Sequence, residues 1–435
     1  MNNFQTILVA VFLAFFVFAV LIFSGLIKIG DKSKDNTKPV GRVVIWGTFS
    51  NTPEFSKVFE DTNSANLDLS ISYVKKSEAT YQQALIEAFA SGTGPDLFFI
   101  TPDMVQKFSD FTYKVPFTSY AEKTFRDAFI DGASVYLAPD GVIAFPIIVD
   151  PLVLYYNKDL FSNEGIVSPP QYWDELFSLS GRLTKKEDDG TIKQSMIGLG
   201  RYDNVSHAKD ILATLLLQSN NPIISPSGSG YAPVLDQNPS SLAVSPLEQI
   251  LNFFIEFSNP STTAYSWNRS LPKSIDMFTG GRLAMYLGSA RELFTIEATN
   301  PNLSFDVASI LQTRGTNTKR TYGNIYALAV NKKSTNITTA FSVAGILSTG
   351  EQAKNLAISV SLPPASRTLL ATKPADPYLF TFFNSAIVTR TWLDPDAAKS
   401  DAIFAELIQN VLSNKLSISD AISKAKGQLD FISKK

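Results

Sequence analysis

The chain has 435 residues, of which 45% are hydrophobic and 18% charged, a composition that folds and a length too great for one small core. Its formal net charge of -2 offers no basic field for nucleic acid. Cysteine is absent and His207 is the single histidine, which excludes disulfides, thiolate zinc sites and a lipidated cysteine, and leaves little room for a histidine metal site or a Ser–His triad.

No charged side chain precedes Lys28, and residues 7–23 form an unbroken apolar run that residues 24–27 extend. A membrane-spanning helix needs about 20 such residues. The segment before the run lacks Lys and Arg, and no small-residue cleavage site follows it, so an uncleaved anchor is expected rather than a signal peptide. Residues 1–30 are therefore read as a transmembrane anchor with its flank, and residues 31–40, DKSKDNTKPV, as a tether. Lys28, Lys32 and Lys34 would by themselves draw that flank to the cytoplasm. The character of the globular part, below, argues for the extracytoplasmic side and takes precedence.

Val43-Val44-Ile45-Trp46 is a short apolar strand ending in Gly47. Thr52-Pro53-Glu54 opens a helix with a cap, a proline at the first position and an acid near the positive end. Phe55, Val58 and Phe59 supply its buried face. Leu69 to Val74 alternates with period two and predicts a strand. Tyr81, Leu85 and Phe89 recur at helical spacing until Gly92 ends the helix. Asp96 to Ile100 is a strand apolar on both faces, as parallel strands are. This alternation predicts an α/β domain with a mostly parallel sheet, whose ligands sit beyond the strand C-termini. Trp46 and the loop Thr101-Pro102-Asp103 lie there.

Further along, Leu176, Leu179 and Leu183 predict a helix. KKEDDG at residues 185–190 reads as a charged, solvated turn. Asp210 to Leu217 reads as a buried helix, and the Ser-, Gly- and Pro-rich stretch 225–241 as a loop. Ala402 to Val411 and Ser417 to Ile432 read as two amphipathic helices.

The order of these segments resembles the extracellular solute-binding proteins of ABC importers, of the maltose-binding type, over about residues 41–432. Ala90-Ser91-Gly92-Thr93-Gly94-Pro95-Asp96-Leu97 is similar to the family's turn before a strand. Phe145-Pro146 with Asp150 and Leu154-Tyr155-Tyr156-Asn157-Lys158-Asp159-Leu160-Phe161 resembles the segment that passes between lobes. Gly165-Ile166 with Pro169-Pro170 and Trp173-Asp174-Glu175-Leu176 follows the family pattern, with Tyr172 where threonine is usual. Phe278-Thr279-Gly280-Gly281-Arg282-Leu283-Ala284-Met285 resembles a further family motif. Each motif is weak alone; their order is what carries the likeness.

The resemblance implies an α/β, two-lobed periplasmic-binding-protein-like fold of type II, preceded by one N-terminal transmembrane helix. Lobe one would comprise residues 41–150 and about 318–361, and lobe two residues 151–312 and about 366–435. The chain would cross between them near Asp150, 312–322 and 361–366. A small polar solute, a carbohydrate by family likeness, would sit between lobes that close over it. Permease subunits in the membrane would be the protein partner, with no nucleic acid and no cofactor.

Sugar clefts set aromatic faces against C–H surfaces and polar groups against hydroxyls. The candidates are Trp46 at a strand end, Asp103 after the third strand, Asp150 at the first crossing, Tyr202 and Asp203 after the strand 196–199, and Trp267. Ser289 and Arg291 follow the strand 283–287 where the family often has a tryptophan, and Asn324 follows Gly323 near the second crossing. Trp46 and Trp267 read equally as packing residues, and Asp103 as a helix cap. If Arg291 enters the cleft, its planar fork suits an acidic solute. His207, without visible partners, reads as structural or exposed. Two other functions compete. A glycosidase would use paired carboxylates such as Asp103 and Asp150, but no local motif supports catalysis, so the chain is read as no enzyme. A sensor ectodomain would need a signalling partner.

Overall fold

The computed structural model describes residues 40–434 apart from 228–229, 237–243 and 317. The expected anchor and tether thus lie outside the described residues, except for Val40. Among the described residues, no helix is long and apolar enough to cross a membrane.

Strand β1 (Gly41–Gly47) turns Val43 and Ile45 inward and leaves Trp46 half-buried. Helix α1 (Pro53–Ala65) starts where the Thr52 side chain accepts the Phe55 N–H at 3.2 Å, and it buries Phe55, Val58 and Phe59. Strand β2 (Leu69–Lys75), helix α2 (Tyr81–Ser91) and strand β3 (Leu97–Ile100) follow. Gly92 caps α2 at φ 73°, a left-handed conformation that suits glycine. β1 lies between β2 and β3 and is parallel to both.

The sheet then passes through β4 (Ala144–Asn157), whose residues are buried except for the half-buried Tyr156. The remaining principal elements are β5 (Ile192–Ile197), α3 (Ala208–Gln218), β6 (Leu283–Ser289), β7 (Phe305–Ser309) and β8 (Thr321–Val330). The strand order is β2-β1-β3-β8-β4-β6-β5, with β7 also on β4. β8 runs antiparallel to both β3 and β4.

Along β4 the partners change. Residues 144–151 pair with β8, and residues 152–157 pair with β6 and β7. The change falls at Pro151, a residue with no N–H to give to a ladder. On the other edge of the first half, Val149 N donates to Pro363 O and Ala365 N to Ile147 O, each at 2.9 Å. The stretches near 150, 323 and 363 therefore lie side by side. Gly323 makes this possible: a Cβ there would sit 2.7 Å from Asp150 O. The result is a mixed α/β, two-lobed fold with one curled sheet running through its waist.

Helices α4 (Ile337–Ser348) and α5 (Gly350–Ser359) pack against β1, α1 and β4, and α6 (Ala397–Leu412) packs on α7 (Ile418–Ser433) and α3. Two local expectations are corrected. The stretch read as a loop contains a short hairpin, Ile224–Ser227 with Gly230–Pro233, whose second strand lies on α7. The charged turn begins as a strand, Lys185–Lys186, paired with β5; lysine is a residue that keeps a sheet edge from recruiting other strands.

Candidate functional site

Two cavities adjoin at the waist. The first, about 170 Å³, is walled by Asp150 and Leu152 of β4, His207 and Asp210 at the head of α3, Ser289 at the end of β6 and Arg291 after it, Tyr322, Gly323, Asn324 and Tyr326 of β8, and Glu78. The second, about 260 Å³, is formed by Thr48, Tyr81, Gln82, Phe99, Ile100, Thr101, Asp103 and Met104. Glu78, Asn324 and Tyr326 belong to both. The site thus sits beyond the C-terminal end of β3 and at the point where β4 changes partners, the kind of switch point where open α/β sheets bind ligands.

Asp150 is buried, and its Oδ1 accepts the Arg291 backbone N–H at 3.1 Å. Burial pushes its carboxyl up to about 7, against the pull of the Arg291 N–H and guanidinium. Arg291 itself reaches the cavity. Its Nη1 donates to Glu78 Oε1 at 3.1 Å and to the Tyr326 hydroxyl at 3.0 Å, and its Nη2 donates to Glu78 Oε2 at 3.4 Å.

Behind Arg291, Glu292 Oε2 accepts from the Tyr286 hydroxyl at 2.9 Å and from Ser289 N at 3.1 Å, and lies 3.0 Å from His207 Nε2. The other ring nitrogen of His207 is 2.9 Å from Asp210 Oδ2. Burial alone would lower the affinity of this imidazole for its proton; Asp210 and Glu292 outweigh it and hold the ring's pKa well above its usual value. With a carboxylate at each nitrogen, the ring is an imidazolium donating from both. This corrects the reading of His207 as a residue without partners. It also takes a left-handed backbone, φ 59°, at the start of α3, which is uncommon outside glycine.

Asp103 stands in the second cavity on a short turn, Pro102–Met104. Thr101 Oγ1 donates to its Oδ1, and Gln82 Nε2 to its Oδ2 at 3.4 Å. Burial raises its pKa while the Thr101 hydroxyl opposes the rise. Of the residues expected from the sequence, the structure brings together Asp150, Ser289, Arg291 and Asn324 in the first cavity, and Asp103 and Asn324 in the second.

The other four stand apart from both walls. Trp267 is fully buried, with Nε1 donating to Asn204 Oδ1 at 2.8 Å, so the expected solute-facing indole is a core residue. The Trp46 ring carries the Lys76 ammonium 3.6 Å from its centroid, so one face of the indole is taken by a cation. The Tyr202 hydroxyl donates to Asp401 at 2.5 Å. Asp203 forms a two-pronged pair with Arg201 at 3.1 and 3.0 Å, which lowers its pKa.

Tyr322, Tyr326, Glu78, Gln82, Asp210 and Glu292 were not singled out from the sequence. A signal existed for some of them. Tyr322, Asn324 and Tyr326 alternate along β8, so naming Asn324 points to both tyrosines on its face. Ser289-x-x-Glu292 has the form of a capping box, which the structure makes, and His207-x-x-Asp210 has the spacing of neighbours on a helix. Glu78 carried no such signal.

The sequence pattern of the bacterial extracellular solute-binding protein family matches residues 47–353. Among curated proteins, the chain is similar to a binding protein of Brucella abortus, 30% identical over 128 residues, which are 28% of this chain and 30% of that protein. It is also similar to the sn-glycerol-3-phosphate-binding periplasmic protein of Agrobacterium fabrum, 25% identical over 136 residues, or 30% of this chain and 28% of the relative. The chain thus matches about three tenths of the length of these relatives. Among solved structures, the cyclic alpha-maltosyl-1,6-maltose binding protein of Arthrobacter globiformis has a TM-score of 0.72 at 16% identity, covering 91% of this chain and 99% of that one. The sugar-binding protein MalE of Xanthomonas citri has a TM-score of 0.71 at 14% identity, covering 90% and 97%. At such identities the likeness establishes the fold.

Proposed function

The chain belongs to the bacterial extracellular solute-binding protein family, and from that premise we propose that it captures a carbohydrate between its two lobes and delivers it to an ABC permease. The observation that carries the reading is the pair of adjoining cavities sharing Glu78, Asn324 and Tyr326. Carboxylates and an amide there suit sugar hydroxyls, since charged acceptors make the stronger hydrogen bonds. Tyr322 and Tyr326 offer the aromatic surface that the expected indoles do not. Solved structures of similar fold include a cyclo/maltodextrin-binding protein complexed with maltotetraose and a receptor in complex with acarbose.

In this reading residues 41–150 and about 318–361 form one lobe, and residues 151–312 and about 366–435 the other. They hinge at the neighbouring stretches near 150, 312–322 and 361–366. The apolar run at residues 7–27 holds the protein at the outer face of the membrane.

A calorimetric and thermal-shift panel of neutral oligosaccharides tests the reading. A solute at 100 times its dissociation constant adds about 2.7 kcal/mol of stability. Scattering with the hit bound is expected to show a smaller radius of gyration. A panel without a single binder, or a hit that turns over, would sink the proposal. A second reading, an anionic solute such as a phosphorylated polyol, is favoured by one observation only, the presence of Arg291 in the cavity wall.

A further inference from the structure

Each cation of the first cavity already has a carboxylate. His207 lies between Asp210 and Glu292. Arg291 faces Glu78, whose two oxygens meet its two terminal nitrogens at 3.1 and 3.4 Å. This is the two-pronged geometry in which a guanidinium recognises the carboxylate or phosphate of a ligand. Glu78 comes from the short turn Glu78–Thr80 before α2, 213 residues from Arg291 in sequence, and meets it in the cavity wall.

We propose that Glu78 is a specificity-determining residue: it occupies the fork of Arg291 in place of a solute anion, so that the site admits uncharged polyols and rejects solutes carrying a carboxylate or phosphate. The choice of an uncharged carbohydrate rests on the function proposed above; the exclusion of anions does not. An anion entering the cavity must either displace Glu78, leaving that carboxylate unpaired beside it, or lie between Glu78 and Asp210. Both arrangements set like charges together at short range. A neutral hydroxyl meets no such barrier and finds the same oxygens as acceptors.

Glu78 and Arg291 keep 67% and 37% of their side-chain surface exposed. A pair so exposed contributes little to folding, so the charge of Glu78 can be removed without dismantling the site. Arg291 would also keep its bond to Asp150 in such a variant, because that bond comes from the backbone N–H.

The test uses the full chain at low salt with two probes, maltotriose and sn-glycerol 3-phosphate, titrated calorimetrically into wild type, Glu78→Gln and the double variant Glu78→Gln/Arg291→Gln. Glu78→Gln is expected to bind sn-glycerol 3-phosphate at least about tenfold more tightly than wild type, the scale of one like-charge contact removed near a surface. The gain should vanish in the double variant and shrink as salt rises. No gain in Glu78→Gln, or a gain that survives the loss of Arg291, would overturn the proposal, as would wild type binding the phosphate as tightly as the variant. Failure of wild type to bind maltotriose or any other neutral sugar counts against the carbohydrate reading alone, because the phosphate arm reads Glu78 independently.

Discussion

The two acid-bearing walls of the site are built differently. On the wall after β3, Asp103 is held by Thr101, two residues away, and by Gln82, twenty-one residues away. On the wall at the β4 switch, Asp150 is held by Arg291 N, 141 residues away, and the supporting bond from His207 to Glu292 joins α3 to the turn after β6. Asp103 is half-buried, whereas Asp150 keeps 3% of its surface. The lesson is that the first wall is a local device resting on a finished lobe, while the second is part of what joins the sheet at its waist. Disturbing the first should change binding, and disturbing the second should change folding.

The largest effect is expected at His207. Asparagine tolerates its left-handed backbone but cannot supply the cation between Asp210 and Glu292. His207→Asn should cost about 3–5 kcal/mol at pH 6, the scale of breaking a buried charge pair. The raised pKa of His207 gives the sign of the pH dependence. Its contribution is complete below the unfolded value of about 6.5 and is lost as pH rises through the folded value, which lies well above it. Denaturant titrations should therefore show a constant deficit up to about pH 6.5 that closes only in alkaline solution. A deficit independent of pH would detach the effect from the imidazolium.

Asp150 tests the same wall by a second route. Its unfolded carboxyl titrates near 3.9 and its folded one near 7. The folded protein thus holds a proton that the unfolded chain has lost, and this contribution, full below about pH 4, fades until the folded carboxyl ionises. Wild type should lose stability relative to Asp150→Asn by about 1.4 kcal/mol per pH unit across that window. Parallel stability curves for the two proteins would show that Asp150 is ionised throughout.

Asp103→Asn should behave oppositely. Stability should stay within about 1 kcal/mol of wild type, while affinity for the solute falls by about 1.5–3 kcal/mol, the value of a hydrogen bond to a charged group. Calorimetry and a melting curve on the same preparation read both. Loss of stability equal to that of His207→Asn would erase the contrast between the walls. The smallest effect belongs to Asp203→Ala, which removes a pair to Arg201 whose carboxylate side chain is 56% exposed. Less than about 1 kcal/mol of stability is expected, with solute affinity unchanged.

Much of this molecule is written locally. Thr52-Pro53 starts α1 and Gly92 ends α2 because caps and left-handed turns depend on a few adjacent residues. Period-two alternation along β2 places Leu69 and Ile71 in the core, while β1, apolar throughout residues 43–46, buries Val43 and Ile45. Asp103 was legible for the same reason: it follows an unmistakable buried strand. Trp267 shows the limit, since a tryptophan suits a cleft and a core equally, and only the position of Asn204, 63 residues away, decides for the core.

By itself, then, the sequence determined the α/β alternation, the helix ends and the buried strands, and its family likeness pointed to a crossing near Asp150. Tertiary structure alone decided that Glu78 would meet Arg291 and that His207, beside its near neighbour Asp210, would also meet Glu292. The physical reason is one of range. Caps and periodicities are fixed by backbone geometry within a turn or a strand, but a charged side chain takes the partner that the packed sheet brings within about 3 Å, and no spacing in the sequence encodes that approach.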